Sequence, residues 1–460
     1  MKYLSVTLLL LFVWVYNCNG QVKYSKGLEL DPEAYNKVPK KASLIRGDYS
    51  ELPEKVSLKQ FCPRPGNQIQ LNTSASWAAA YSAKTIQDAR AENITDIKKI
   101  TQNSYSPVFN YALSTNFNNK GCSTPATLTG VLESLKRFGV PRYVDFQIFC
   151  PDAIYPKIYE LASHNKITDY ARLFDADDAP EYKLEAVKKS LAEGLPIIIG
   201  MYCPPSFSLA KEFWQPREKV SDEFEAQALC VVGYDDNKYE GAFEILNSWG
   251  SDWGNNGYIW IRYSDFIDFT VSAYEMFMFE GDQKHIDFSG QIKLIQDNGV
   301  TISTQLTNGA GYYRSQDVYT TGTKFKIYIT NNETAYIYVF GTDKTNEFFP
   351  LFPYNENISP ILNYKNSNIA LPGEDYYIQI TGDPGRDYLV IFYSKEEIQL
   401  SSLMNKLQKT PGRIDERVNS VMGSSIVDTK NIKWDPGQIS FSGMADGKSL
   451  IPVYIEIQHQ

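Results

Sequence analysis

Few side chains in this sequence can carry out acid–base or nucleophilic chemistry at neutral pH. Among 460 residues there are only three histidines, His164, His285 and His459. Because histidine is the side chain whose ordinary pKa lies nearest to neutral pH, this scarcity limits both general-base chemistry and metal binding. No two cysteines have the spacing of zinc ligands, so we expect neither a metal nor a cofactor. The cysteines after residue 20 are far apart and odd in number, which predicts at most two disulfides: Cys62, Cys122, Cys150, Cys203 and Cys230.

Two stretches in the first half of the chain carry the most chemical information. Residues 65–81 read PGNQIQLNTSASWAAAY, and residues 225–234 read EAQALCVVGY. The second stretch is followed by FEILNSWG at 243–250 and WGNNGYI at 253–259. An Asn-Ser-Trp tripeptide alone is a weak signal, but this pattern of glycines and aromatic residues around it is specific. These stretches resemble the papain family of cysteine peptidases, particularly a bacterial branch, and the resemblance covers residues 52–281.

The resemblance implies a set of roles for particular positions. In papain-like peptidases a cysteine at a helix N-terminus is the nucleophile, and a glutamine six residues before it donates to the oxyanion. Here the nucleophile position holds Ser74, six residues after Gln68. A second register places it at Ser76, six residues after Gln70. The ungapped match favours Ser74, and both registers put a serine where the family has its cysteine.

The general-base position is also different from the family pattern. Where the family histidine is expected, this sequence has Gln227, whose carboxamide has no proton affinity near pH 7. The asparagine that orients the imidazole is kept as Asn247, and the indole that shields it is kept as Trp249. Gly121 lies where the glycine of the substrate-binding strip would run. A serine hydroxyl needs a base beside it, so we expect these positions to be vestigial and the site to be catalytically inactive.

The N-terminus has the layout of a cleaved secretory signal. Lys2 precedes an apolar run, Leu8 to Val15, and Gly20 closes the segment. A run of this length is too short to span a bilayer stably, so we expect residues 1–20 to be removed. A retained anchor and a lipid-modified Cys18 are the alternatives. No later segment reaches the roughly 18 apolar residues of a transmembrane helix, and we predict a protein that is secreted or lies in the periplasm or cell envelope.

The remaining chain divides into four parts by its residue patterns. Residues 21–51 are polar and contain the pair Lys40-Lys41, which predicts an exposed leader segment. Residues 52–281 alternate helical and strand signals, and the papain resemblance implies an α+β fold with a helical subdomain and a β-barrel-like subdomain. We assign 282–310 to a linker. Residues 311–460 contain short aromatic-rich strands separated by turn residues, which predicts an all-β, sandwich-like domain.

The second half also resembles a known module. Its segments YIYV at 336–339, FPLFPYN at 349–355 and LPGE at 371–374 are similar to a bacterial β-sandwich module of unknown function that is often joined to enzymatic or envelope domains. No catalytic residue is implied by this resemblance.

Three functions are compatible with these patterns. The first is an exported papain-like pseudo-peptidase whose cleft is kept for binding a peptide or protein. The second is an active peptidase that uses a serine nucleophile, and the third is a structural component of envelope assembly with a partner on the C-terminal domain. The formal net charge of −9 and the scattered basic residues argue against a nucleic-acid partner.

Overall fold

The computed structural model describes residues 24–49, 52–117, 120–278, 288–308, 310–343, 345–363 and 367–460. They form two β-rich bodies, the first around one sheet flanked by helices and the second around two packed sheets. The predicted signal segment lies outside the described residues. The α+β fold predicted for the first part and the β-rich fold predicted for the second are confirmed.

The helices of the first body are short, and no helix among the described residues is both long and apolar enough to cross a membrane. They are α1 (Pro32–Lys37), α3 (Ser74–Ser76), α4 (Thr85–Ala91), α5 (Ile97–Gln102), α6 (Phe109–Ser114), α7 (Leu128–Phe138), α8 (Pro156–Ser163), α9 (Pro180–Ala192) and α10 (Tyr263–Phe269). Helix α2 (Arg46–Tyr49) lies in the leader and bonds the second body. Single 3₁₀ turns lie at Lys59–Phe61, Lys120–Cys122, Tyr143–Asp145 and Pro205–Leu209.

One of these helices passes through the core of the first body. It begins with α3, continues through a π-helical segment at Trp77–Lys84 and returns to α-helical hydrogen bonding in α4. The alanines of the π-helical segment are buried, and their small side chains allow close packing against the sheet. The helix starts at Ser74, and its N-terminal end contacts Ala228, next to the predicted site residue Gln227.

The first sheet is built around a central strand that is buried up to its last residue, Asp235. In order across the sheet the strands are β4 (Asp169–Arg172), β10 (Thr270–Phe277), β5 (Ile197–Tyr202), β7 (Ala226–Asp235), β8 (Ala242–Leu246), β9 (Tyr258–Arg262) and β6 (Phe213–Trp214). Three short strands pair outside this order: β1 (Leu28–Glu29), β2 (Lys55–Ser57) and β3 (Ala126–Thr127). The central strand β7 pairs antiparallel with β5, in a register that places Gln227 opposite Met201.

The second body has two sheets with an apolar core between them. The first sheet contains β18 (Ser367–Leu371), β14 (Lys324–Asn331), β11 (Phe288–Gln296), β22 (Ile439–Gly443) and β21 (Ile432–Trp434), with β19 (Ile378–Gln379) beside β14. The second contains β12 (Thr304–Asn308), β13 (Tyr312–Tyr319), β23 (Leu450–His459), β20 (Gly385–Ser394), β15 (Ala335–Thr342) and β16 (Phe348–Phe352), with β17 (Ile361–Leu362) beside β15. Helices α11 (Leu400–Lys409) and α12 (Ile414–Met422) and a 3₁₀ turn at Thr429–Asn431 complete this body.

The segment assigned to a linker, 282–310, contains two strands of the second body. Strand β11 lies in the middle of its sheet, paired with β14 on one side and β22 on the other. The alternation that marks a strand is interrupted in the sequence at Gly290. A side chain there would come within 2.6 Å of the Tyr393 ring, so the glycine makes room for that ring. The C-terminal domain therefore includes Phe288 and does not begin at residue 311.

The prediction of an exposed leader is wrong. Leu28, Tyr35 and Val38 belong to the apolar core of the first body, whereas Ala42 and Leu44 belong to the core of the second. The backbone of Lys40 forms bridges to Arg172 in the first body and to Ile358 in the second. The leader therefore packs first against the core of the first body and then between the two bodies, and its polar composition did not reveal the apolar contacts that both supply.

The two bodies also share an apolar contact surface. Ala171 and Phe277 of the first body pack in one cluster with residues on the outer face of β15 and β20. Members of that cluster from the second body are Tyr336, Tyr338, Phe340, Val390 and Phe392.

Candidate functional site

Ser74 is buried at the start of α3 and faces the central strand. Its side chain has no exposed surface, and its Oγ accepts a hydrogen bond from the backbone N–H of Ala228 at 3.2 Å. Thr73 immediately precedes the helix, and its carbonyl accepts bonds from Ser76 and Trp77. The hydroxyl of Ser74 therefore lies between the helix N-terminus and β7. The residue before Ala228 on that strand lies next to it.

That preceding residue is Gln227, and its carboxamide is fully hydrogen-bonded. Its Nε2 donates to Gln68 Oε1 at 2.9 Å and to Asn247 Oδ1 at 3.0 Å. Its Oε1 accepts from the backbone N–H of Gly27 at 3.2 Å. A carboxamide offers two N–H donors and one carbonyl oxygen, and each takes part in one of these bonds.

Gln68 extends the same network toward the leader. Its Oε1 accepts from Gln227 and from Ser248 Oγ at 2.6 Å, while its Nε2 donates to the carbonyls of Leu71 at 2.9 Å and Ser25 at 3.1 Å. Asn247 accepts a second bond from the backbone N–H of Ser248 at 2.7 Å. One donor of the network, Asn247 Nδ2, is buried without a partner among the described residues.

The network is electrically neutral. Within the part of the chain that the structure describes, the hydrogen-bond partners of Ser74 and Gln227 are amides and backbone groups. His164 is exposed at the end of α8, and His459 is buried in the second body, 3.5 Å from Asp387. His285 lies outside the described residues. Among the residues that the structure describes, no imidazole, carboxylate or amine is therefore hydrogen-bonded to the hydroxyl of Ser74.

The free thiols of the described residues are buried. Burial raises the pKa of Cys203, and burial raises the pKa of Cys62 to about 12. Burial also raises the pKa of Cys230 well above its usual value. A thiol with a raised pKa is protonated at neutral pH and is a poor nucleophile. Cys122 and Cys150 are joined in a disulfide.

The leader lies beside this network and fills a cleft formed by Gln68, Gln227 and Trp249. Tyr24 stacks on Trp249 with ring centroids 4.7 Å apart and planes 13° from parallel. The indole Nε1 of Trp249 donates to the Ser25 carbonyl at 2.9 Å, so this carbonyl accepts from both Trp249 and Gln68. Phe207 and Trp253 both pack edge-on against the indole, with ring centroids 5.5 Å and 5.1 Å from it, which restricts its orientation.

The leader then forms strand β1 between the helical part and the sheet. Leu28 pairs in parallel with Ala126 of β3 and antiparallel with Ala226 of β7. A Cβ at Gly200, on β5, would lie 2.9 Å from the end of the Leu28 side chain. The absence of a side chain at residue 200 therefore makes the space that Leu28 fills.

The two predicted positions of the nucleophile, Ser74 and Ser76, have different surroundings in the structure. Gln68 and Ser74 are brought together with Gln227, Asn247 and Trp249. Gln70 is exposed at the surface, and Ser76 is buried inside the helix with no partner for its Oγ among the described residues. Gly121 has φ 69° in a 3₁₀ turn, and nothing lies within 4 Å of the position that its Cβ would take. The leader strand β1 pairs with β3.

Several contributing residues were not predicted from the sequence. Ser248 could have been recognised, because it belongs to the same tripeptide as Asn247 and Trp249. Ser25 and Gly27 bond Gln68, Trp249 and Gln227 through backbone groups, and no local pattern marks backbone groups as ligands of a distant site, which for Gln227 lies some 200 residues away in the chain.

Two family models match separate segments of the chain. Residues 86–275 match the model of the papain family cysteine proteases, and residues 318–397 match a domain of unknown function, DUF4384. The first match begins after Ser74, so it includes Gln227 and Asn247 but not Gln68. The chain thus contains a papain-family domain followed by a DUF4384 domain.

Individual relatives cover only parts of the chain. An uncharacterized peptidase C1-like protein of Acanthamoeba polyphaga mimivirus is 32% identical over 121 residues, which is 25% of this chain and 38% of that protein. Xylellain, a cysteine protease from Xylella fastidiosa, is 20% identical with a TM-score of 0.45, over 56% of this chain and 97% of its own. Digestive procathepsin L 3 of Tenebrio molitor is 18% identical with a TM-score of 0.41, over 56% and 84%.

Proposed function

We propose that this protein is an exported papain-like pseudo-peptidase whose cleft binds an extended peptide strand without cleaving it. The observation that carries the proposal is the carboxamide of Gln227, which bonds Gln68 and Asn247 on one side and the backbone N–H of Gly27 on the other. In the resting protein the bound strand is its own leader.

Catalysis is disfavoured by the chemistry of the side chains around Ser74. A serine hydroxyl becomes a nucleophile when a neighbouring base removes its proton. The side chains of Gln227 and Asn247 do not accept a proton near neutral pH, and Ser74 Oγ is already engaged with Ala228. Losing both nucleophile and base leaves only the effects of binding and of oxyanion donors.

Peptide binding is favoured because the cleft contacts main-chain groups. The carbonyl of Ser25 accepts from two side chains, the N–H of Gly27 donates to a third, and β1 pairs with a strand on each side. This is binding by strand addition, in which main-chain hydrogen bonds supply affinity and side-chain pockets supply selectivity.

A serine peptidase is the competing catalytic function, and a direct assay distinguishes the two. Wild type and Ser74→Ala are incubated with a mixture of fluorogenic peptides and with a fluorophosphonate that labels activated serines. We expect no turnover and no labelling in either protein. Turnover or labelling that disappears in Ser74→Ala would overturn the pseudo-peptidase proposal.

We also propose that the protein is exported and that its C-terminal domain binds a partner in the cell envelope. The N-terminal pattern of residues 1–20 supports a mature protein that begins at or near Gln21, and the intact mass of the exported protein tests this. A mass that retains the first 20 residues, or a lipid on Cys18, would contradict it. Pull-down from an envelope fraction is compared for wild type and for a variant altered on the C-terminal domain. A partner lost only in that variant indicates a structural role in assembly, and a partner kept by both indicates binding in the cleft.

A further inference from the structure

We propose that the cleft selects peptides that carry glycine at the position beside residues 72 and 73, followed by leucine. This inference rests on the proposed function, because it names the class of peptide that the same cleft binds. The resident example is the leader sequence YSKGLEL at residues 24–30, in which Gly27 and Leu28 occupy these two positions.

The glycine requirement follows from the closeness of two backbones. A Cβ at Gly27 would lie 2.5 Å from both Cα and the carbonyl carbon of Asn72, and 2.7 Å from the nitrogen of Thr73. Any residue except glycine would therefore overlap the peptide bond that joins Asn72 to Thr73. Backbone atoms cannot rotate away as the end of a long side chain can, so the overlap has to be relieved by moving the strand or the helix N-terminus.

The helix side of this contact is held in place. The N–H of Asn72 donates to the Cys122 carbonyl at 3.0 Å, and the Thr73 carbonyl accepts from Ser76 and Trp77 in the first turn of the helix. Cys122 is itself held by its disulfide to Cys150. The strand side is held at the same residue, because the N–H of Gly27 donates to Gln227. A side chain at residue 27 would therefore break this bond before it displaced the helix.

The neighbouring positions differ in how strictly they are defined. Leu28 fills the space left by Gly200 and is buried in the core of the first body. The ammonium group of Lys26 lies 3.7 Å from Glu225, and although the Lys26 side chain is only 11% exposed, an ion pair with an exposed partner adds little to binding. Tyr24 stacks on Trp249, a contact open to other aromatic rings. The peptides that we expect to bind thus contain glycine followed by leucine, with an aromatic residue three positions before the glycine.

The test uses the full chain and peptides that compete with its own leader. Gly27→Val should displace the leader from the cleft and leave the site free. The matched control is Gly47→Val, since Gly47 lies in the same leader but nothing is within 4 Å of its Cβ position. Two fluorescein-labelled peptides are used as probes: residues 21–31 with the natural glycine, and the same peptide with alanine at position 27. Binding is followed by fluorescence anisotropy.

The expected result is that Gly27→Val binds the glycine peptide and binds the alanine peptide at least about tenfold more weakly. Wild type and Gly47→Val should bind neither peptide measurably, because their leaders fill the cleft. Equal binding of the two peptides to Gly27→Val would overturn the glycine selectivity while leaving peptide binding intact. Binding of neither peptide to folded Gly27→Val would overturn the proposed peptide-binding function itself.

A second measurement decides the question if Gly27→Val does not fold. Hydrogen–deuterium exchange is compared in Gly27→Ala and Gly47→Ala, which add one methyl group each. Faster exchange of the amides of residues 24–29 in Gly27→Ala alone supports the steric requirement. Equal protection of this segment in the two variants would overturn it.

Discussion

The ammonium group of Lys41 lies 2.8 Å from each carboxylate oxygen of Glu275, and both side chains are buried. Lys41 belongs to the leader and Glu275 to β10, and Asn363 of the second body donates to the same carboxylate at 2.7 Å. Burial lowers the pKa of Lys41, and the nearby Glu275 opposes that shift. This ion pair therefore joins the leader, the first body and the second body at one buried point.

Removing one charge of this pair should destabilise the protein strongly. Glu275→Gln leaves the Lys41 ammonium buried without a counter-charge, and we expect the free energy of unfolding to fall by about 3–5 kcal/mol. The double variant Lys41→Met with Glu275→Leu should recover most of the loss, because neither charge is then buried. Urea unfolding of the two variants and wild type measures both effects.

The control for this prediction is the exposed pair Lys37–Glu33, whose side chains are 73% and 83% exposed. Lys37→Met should change the free energy of unfolding by less than about 0.5 kcal/mol. A small effect of Glu275→Gln, similar to that of the control, would show that the buried pair does not join these parts of the chain.

The leader should contribute to the stability of the second body. Leu44 is buried in the core of that body, so Leu44→Ala should reduce the free energy of unfolding by about 2–5 kcal/mol. Val300→Ala is the comparison, since Val300 is 54% exposed and its truncation should cost less than about 0.5 kcal/mol. Thermal and urea melts measure both. A cooperatively folded fragment 311–460, which lacks β11 and the leader, would contradict this assignment.

A cysteine introduced at residue 74 and a histidine introduced at residue 227 should behave as a pair. In Ser74→Cys with Gln227→His, the thiol lies at a helix N-terminus beside an imidazole within reach of Asn247 Oδ1. The pKa of the thiol should fall well below its free value of about 8.5, and Ser74→Cys alone should not show this drop. Ultraviolet absorbance of the thiolate as a function of pH measures the pKa without requiring a reagent to enter the filled cleft. An ordinary thiol titration in the double variant would mean that residues 74 and 227 are not the paired positions.

The carboxylate of Glu218 should make a contribution to the free energy of unfolding that is lost in acid. Burial alone would raise the pKa of Glu218, but hydrogen bonds from the Ser206 hydroxyl at 2.6 Å and backbone N–H at 3.0 Å lower it below its usual value. A carboxyl whose pKa is lower in the folded state stabilises the protein above its unfolded pKa of about 4.3. That contribution is lost as the pH falls through the folded pKa.

The measurement is urea unfolding of wild type, Glu218→Gln and Ser206→Ala between about pH 3 and pH 6. The stability difference between wild type and Glu218→Gln should shrink toward the acid end, and Ser206→Ala should reduce the pH dependence of wild type. A difference that stays constant with pH would show that the carboxylate is not stabilised by these hydrogen bonds.

The sequence by itself determined which residues to consider for the site and the class of each body. Asn247, Ser248 and Trp249 are consecutive, and Gln68 precedes Ser74 by six residues, so their spacing is a local property that can be read directly. The alternating and aromatic patterns of the strands are local for the same reason, since strand and helix periodicities extend over only a few residues.

The tertiary structure decided what these residues contact. Gly27 bonds Gln227 across 200 positions of the chain, and its need to be glycine comes from the Asn72–Thr73 peptide bond rather than from its own backbone conformation. Lys41 reads as an exposed lysine in the sequence, yet it is buried against Glu275 of the first body, whose carboxylate also accepts a hydrogen bond from Asn363 of the second body. Contacts of this kind depend on how distant segments pack together, and the residue pattern around each segment does not record which surface will cover it.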